Sequence, residues 1–148
     1  MNLEETINQD IKQAMLAKDK ETLEALRAVK SAILLLKTDS SIQAITPEIE
    51  IKTLQKLVKQ RKESAEMYKS QGREDLCNEE LAQLKVIARY LPEQMSADEI
   101  KVKLQELIAA NGISGIKEMG KLMGLASKAF AGKADNKMVA EIVKSLLQ

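Results

Sequence analysis

The feature that most constrains this chain is the spacing of its apolar side chains. Leu23, Leu26, Val29, Ile33 and Leu36 recur at steps of three and four, and the same rhythm returns in Ile51, Leu54, Val58, Arg61, Ala65 and Tyr68, a seam with one arginine in it. Such a period lines up one face of an α-helix, whereas a strand alternates its faces at every residue. Breakers are scarce: the 148 residues include 6 Gly and 2 Pro. Aromatic residues make up 2%, too few for a β-sandwich, which draws on aromatic strands and many turn residues. The expected fold class is all-α, with an N-terminal antiparallel helical hairpin bundle and a small C-terminal three-helix subdomain.

Local signals divide the pattern. A first helix is expected over residues 3–18, and Asp19 can cap the second. Residues 38–46 form a polar loop. Thr46-Pro47-Glu48 then supplies a hydroxyl cap, a proline at the first helical position and an acid against the dipole. Gln71-Gly72-Arg73 breaks the third helix. The fourth is expected to turn Cys77, Leu81, Leu84, Ala88 and Leu91 inward and to stop before Pro92. A subdomain boundary at 91–96 separates residues 1–91 from 92–148. Ser96-Ala97-Asp98-Glu99 reads as a capping box and Asn111-Gly112 as a helix close. A sixth helix carries Ile116, Met119, Met123, Ala126 and Phe130. Gly132 interrupts it, and a last helix carries Met138, Val139, Ile142, Val143 and Leu146.

Composition removes several functions. There is no His, so neither a Ser-His-Asp triad nor a His-ligated metal site can be drawn, and the single Cys77 forms no intrachain disulfide. No catalytic residue, cofactor or metal is expected. Lys and Arg number 23 against 22 Asp and Glu, so any nucleic-acid contact must rest on a local patch rather than bulk charge. The N-terminus carries acid where a signal peptide carries base. The apolar run Ala32-Ile33-Leu34-Leu35-Leu36 is far too short to span a bilayer. The expectation is a soluble, cytoplasmic protein with no membrane contact. Residues 115–122 resemble a phosphate-binding loop, but Leu122 stands where the motif needs a hydroxyl and no strand precedes it.

Two constellations remain. Arg61 lies on the seam side of its helix, and a hairpin turning at Gly72 would bring it near Glu80, so a register-setting structural ion pair of Arg61 with Glu80 is expected. Lys52, Lys56 and Lys59 form a basic edge diluted by Glu63, which reads as a solvated face. In the sixth helix Gly120 and Gly124 each cost about 1 kcal/mol relative to Ala. At roughly 100° per residue they project beside Lys117, Lys121 and Lys128, away from the apolar face. Lys133 and Lys137 follow. Glycines admit a foreign backbone and lysines neutralise phosphate, so this strip is a candidate surface for RNA or a partner; the alternative is a helix of the same chain packed on the glycines.

Three groups of residues carry a resemblance. They are Leu26-Arg27-Ala28-Val29-Lys30-Ser31-Ala32-Ile33; Lys59-Gln60-Arg61-Lys62-Glu63-Ser64 with Tyr68 and Gly72-Arg73-Glu74-Asp75-Leu76; and Tyr90-Leu91-Pro92-Glu93-Gln94. With Gly120-Lys121-Leu122-Met123-Gly124 and Gly132-Lys133-Ala134-Asp135 they resemble the YqeY family of the GatB/YqeY group over essentially the whole chain. The resemblance implies an all-helical, two-part fold akin to the C-terminal tail of the GatB subunit of tRNA-dependent amidotransferase. That enzyme, a carbon–nitrogen ligase with glutamine as amido donor, converts misacylated Glu-tRNA or Asp-tRNA to the amide form. Its tail is associated with tRNA contact, and its chemistry lies in another domain. The implied function is an accessory module, binding tRNA or a tRNA-linked protein, with no catalytic site of its own. Gly120, Lys121, Gly124, Gly132 and Lys133 match the tail-like motif as candidate contacts. Alternatives are a protein–protein adaptor without RNA contact and a subunit assisting amidotransferase chemistry in trans. The oligomeric state stays open.

Overall fold

Seven α-helices and one 3-10 turn make up the computed structural model, which describes residues 2–148 and contains no strand among them. They are α1 (Leu3–Leu16), α2 (Lys20–Thr38), α3 (Pro47–Ser70), α4 (Glu74–Ala88), α5 (Ala97–Asn111), α6 (Met119–Ala129) and α7 (Asn136–Leu147), the 3-10 turn occupying Ile116–Glu118. The fold class is all-α, as expected.

The boundaries follow from cap chemistry, because the first backbone N–H groups of a helix have no partner inside it. Asn2 Oδ1 accepts the Glu5 N–H at 2.9 Å while Glu5 accepts the Asn2 N–H at 3.1 Å, a reciprocal pair that starts α1. Asp19 accepts from the Thr22 backbone at 3.1 Å, Thr46 from Ile49 at 3.3 Å ahead of Pro47, and Ser96 from Glu99 at 3.2 Å. Gly112 closes α5 in the left-handed region at φ 60°, a backbone conformation that strains residues with a side chain.

The chain forms two units, one ending at Leu91 and the other Pro92–Gln148. In the first, α1 pairs with α2 and α3 with α4, and α4 also packs on α2. Ile7, Ala25, Leu26, Val29, Leu54 and Ile87 are fully or almost fully buried at its centre. Burying one such Leu stabilises by about 1.5–3 kcal/mol. Two polar links tie the hairpins together: the Leu3 N–H donates to Glu50 Oε2 at 2.9 Å, and the Tyr90 hydroxyl donates to Asp10 Oδ2 at 2.5 Å.

The expected inward face of α4 needs correction. Cys77 is buried and Leu84, Ala88 and Leu91 are half-buried, but Leu81 is 45% exposed. Val86 and Ile87, absent from the expected face, are among the buried residues. The cause is that α4 serves two neighbours, α3 and α2, so its buried surface is wider than one helical stripe and displaced from the one expected.

In the second unit α5, α6 and α7 enclose Ile100, Leu104, Leu122, Ala126, Phe130 and Val143, among others. The residues ahead of α5 are stitched to the α6–α7 turn. The Met95 N–H donates to the Lys133 carbonyl at 2.8 Å, and the Gln94 side-chain amide donates to the Gly132 carbonyl at 2.8 Å. The sixth helix is shorter than expected. Gly115, at φ 79°, leads into the 3-10 turn, whose tighter winding leaves Ile116 48% exposed instead of on the apolar face. Leu122, not placed on that face from the sequence, is fully buried.

Candidate functional site

The α6 surface is built from opposed faces of one short helix. Leu122 and Ala126 are buried at the core and Met119 and Met123 lean against it. Gly120 and Gly124 sit about 200° from Leu122 at two residues' offset, so they face the other way. A Cβ built on either glycine meets nothing within 4 Å. Among the described residues, no helix of this unit packs on them, so the glycines are not accounted for by a contact with α5 or α7.

Exposed lysines border this open strip. Lys121 and Lys128 are on α6, Lys117 precedes it in the 3-10 turn, and Lys133 and Lys137 follow around the α6–α7 corner; all five are exposed. Two acids interleaved with them are engaged by backbone donors. Glu118 accepts the Ser114 N–H at 2.5 Å, and Asp135 accepts the Lys137 N–H at 3.2 Å as the cap of α7. Among the described residues, the ion pairs are Lys37–Glu4, Arg73–Asp75 and Lys103–Glu106, and none uses a lysine of this strip. Gly132 has a separate duty: at φ 74° it makes the turn between α6 and α7, and its carbonyl is taken by Gln94. It shapes the corner that carries Lys133.

The expected pair of Arg61 with Glu80 does not form. Arg61 is half-buried, donating its Nε to Gln83 Oε1 at 3.3 Å and an Nη to the Leu57 carbonyl at 3.2 Å. Gln83, a neutral partner three residues further along α4, takes the place predicted for the carboxylate. No charged side chain is fully buried among the described residues, so the guanidinium keeps enough water to do without a counter-charge.

An open cleft in the first unit is lined by Asp10, Gln13, Asp19, Thr22, Arg89 and Tyr90. Its acids are committed to structure. The Thr22 hydroxyl and backbone N–H hold the Asp19 carboxyl below the usual carboxylate range, and Asp10 accepts a hydrogen bond from the Tyr90 hydroxyl. Burial first, then the hydrogen bond to Asp10, hold the Tyr90 phenol well above its ordinary range. These groups are tied as caps and links and present no activated nucleophile–base pair. Among the described residues, no cluster of three or more His, Cys, Asp or Glu side chains could hold a metal ion. No helix there is long and apolar enough to cross a membrane.

The sequence profile of the Yqey-like proteins matches residues 4–147. The chain belongs to the YqeY family. Relatives of this YqeY chain carry a common name, "Altered inheritance of mitochondria protein 41, mitochondrial". The one from Pyrenophora tritici-repentis is 28% identical over 141 residues, covering 93% of this chain and 77% of the relative. The one from Meyerozyma guilliermondii is 39% identical over 87 residues, covering 58% of this chain and 44% of the relative. The one from Clavispora lusitaniae is 34% identical over 102 residues, covering 67% and 58%. Against these last two the match spans about half of the relative's length. The names correct the expectation of a general cytoplasmic location, because the relatives are mitochondrial by name. Composition and hydropathy do not separate one compartment from the other.

Proposed function

We propose that this YqeY-family chain is an accessory module that docks tRNA, or a protein carrying tRNA, on the glycine–lysine strip of its C-terminal unit and has no catalytic site of its own. The observation that carries this reading is the open space over Gly120 and Gly124 beside exposed lysines. A helix surface without Cβ atoms lets a backbone approach closely, and ammonium groups beside it suit a phosphate chain. The near-neutral net charge of +1 makes the expected affinity modest. The mitochondrial names of the relatives favour mitochondria as the place to seek the physiological partner. Fluorescence anisotropy with bulk tRNA tests the reading: Lys121→Glu combined with Lys128→Glu should weaken binding at least tenfold while the helices stay formed. Unchanged binding in that variant removes the strip from the function.

The same open glycines favour a second reading, an adaptor that receives a partner helix and touches no RNA. Close helix packing on small residues would depend little on salt, whereas phosphate contact releases counterions and depends on it steeply. A role assisting amidotransferase chemistry in trans belongs to the first reading, with the module delivering tRNA to a separate enzyme.

A further inference from the structure

We infer that the α3–α4 hairpin is a self-association surface, pairing antiparallel with the hairpin of a second copy of this chain. The hairpin runs past the core of its own unit. That core takes Leu54, Leu57, Val58, Val86, Ile87 and Tyr90 from it, while Ala65 and Cys77, nearer the turn at Gly72, are buried outside the cluster. The distal part is thus a two-helix arm held by its own seam, with Arg61 and Gln83 setting the register.

One flank of the arm is apolar and open. Cys77, Leu81, Leu84 and Ala88 follow at helical spacing, and this strip passes from buried Cys77 to Leu81, which is exposed. Leu81 lies about 140° around α4 from Val86, the residue that packs into the core, so the flank faces away from α1 and α2. An exposed Leu between half-buried neighbours is the centre of a small apolar surface with nothing of this unit upon it.

Charge selects the occupant. Over residues 63–80, around the tip, carboxylates outnumber bases six to two; over the adjoining stretches 47–62 and 81–91, bases outnumber carboxylates seven to two. Such an arm is complementary to a reversed copy of itself, which is the condition for an isologous twofold contact. The rim of the open flank repeats the pattern. Lys59 and Lys85 border it on the basic side of Leu81, Glu66 and Glu74 on the acidic side, and all four are exposed. The midpoint of Lys59 and Glu66 on α3 and that of Lys85 and Glu74 on α4 fall at nearly the same level of the hairpin. A single twofold axis there sets Lys59 against Glu66 of the partner subunit and Lys85 against Glu74 of the partner subunit, with Leu81 of both copies close to the axis. The product is an antiparallel four-helix bundle with a small apolar centre and a charged rim.

Sedimentation velocity of the full chain tests this over roughly 10 µM to 1 mM protein, the range of weak association. The expected result is a monomer–dimer shift at low salt that weakens as salt screens the rim. Lys59→Glu with Lys85→Glu, and separately Glu66→Lys with Glu74→Lys, should each weaken the dimer about tenfold or more, since attraction becomes repulsion at four contacts. An equimolar mixture of the two variants should recover it, because the reversed charges complement each other. Leu81→Asp should abolish it. Circular dichroism checks that these exposed substitutions leave the helices intact. A wild-type chain monomeric throughout, a dimer indifferent to the substitutions, or a mixture that stays monomeric would each overturn the inference.

Discussion

Tyr90, just beyond the end of α4, donates its hydroxyl proton to Asp10 Oδ2 on α1 at 2.5 Å. This is the one side-chain link described between those two helices, and it secures the last turn of the first unit beside the cleft of Arg89 and Asp19. A partly buried hydrogen bond to a carboxylate contributes about 1–2 kcal/mol, and Tyr90→Phe should lose that much in urea denaturation. The pH dependence has a defined sign. The folded-state phenol titrates above its unfolded value, mainly because burial disfavours phenolate. Its contribution is therefore complete below the unfolded value of about 10 and declines as pH rises beyond it. Wild type should lose stability above that pH, and Tyr90→Phe should lose less; equal alkaline losses would show that Tyr90 is not the sensitive group.

Arg61 should behave as a half-buried residue with neutral partners. Arg61→Ala should cost about 1 kcal/mol, measured by chemical denaturation, through the lost bonds to Gln83 and Leu57 and the lost packing of its stem. Glu80→Gln should stay within about 0.5 kcal/mol of wild type. A loss of about 3–5 kcal/mol in both variants would restore the buried ion pair expected from sequence.

The glycines of the C-terminal unit should separate into two classes. Gly120 and Gly124 have helical backbone and open Cβ directions, so Gly→Ala at either should stabilise by about 0.5–1 kcal/mol. Gly112 at φ 60° and Gly132 at φ 74° are left-handed, and Ala there should cost about 1 kcal/mol or more. Four thermal melts decide this. Destabilisation by Ala at position 120 or 124 would mean that something packs on the strip after all.

Helix ends were legible because they depend on neighbours in the chain. Asp19, Thr46, Ser96 and Gly112 occupy the cap positions their chemistry suggests. The outward aim of Gly120 and Gly124 was legible too, since it needs only the helical period and the position of the apolar side chains. Tertiary choices were not. Whether Arg61 meets Glu80 or Gln83 depends on the register of α3 against α4, and one helical turn separates the two answers. The burial of Val86 requires knowing that α4 has a second neighbour, α2. Ile116 left the apolar face because a 3-10 turn abandons the α-helical angle on which its placement rested. Compartment leaves no mark on packing, and it took named relatives to correct it.

The purified chain alone should show no amidotransferase turnover. The proposed reading gives this chain no catalytic site: it has no His, its single Cys77 is buried, and Asp19 and Asp10 in the cleft are engaged as a cap and a link. Incubation with Glu-tRNA, glutamine and ATP, followed by analysis of the esterified amino acid, should return only Glu. Accumulation of Gln-tRNA would place chemistry in this chain.

Docking of tRNA on the glycine–lysine strip is tested most directly by titrating wild type and Gly124→Leu with bulk tRNA at two salt concentrations. If about four lysines meet phosphates, affinity should fall on the order of a hundredfold between 50 and 200 mM salt. Gly124→Leu should bind more weakly at both concentrations while melting no lower than wild type, since its side chain enters open space. Affinity that ignores both the salt and the leucine would contradict RNA docking on this face.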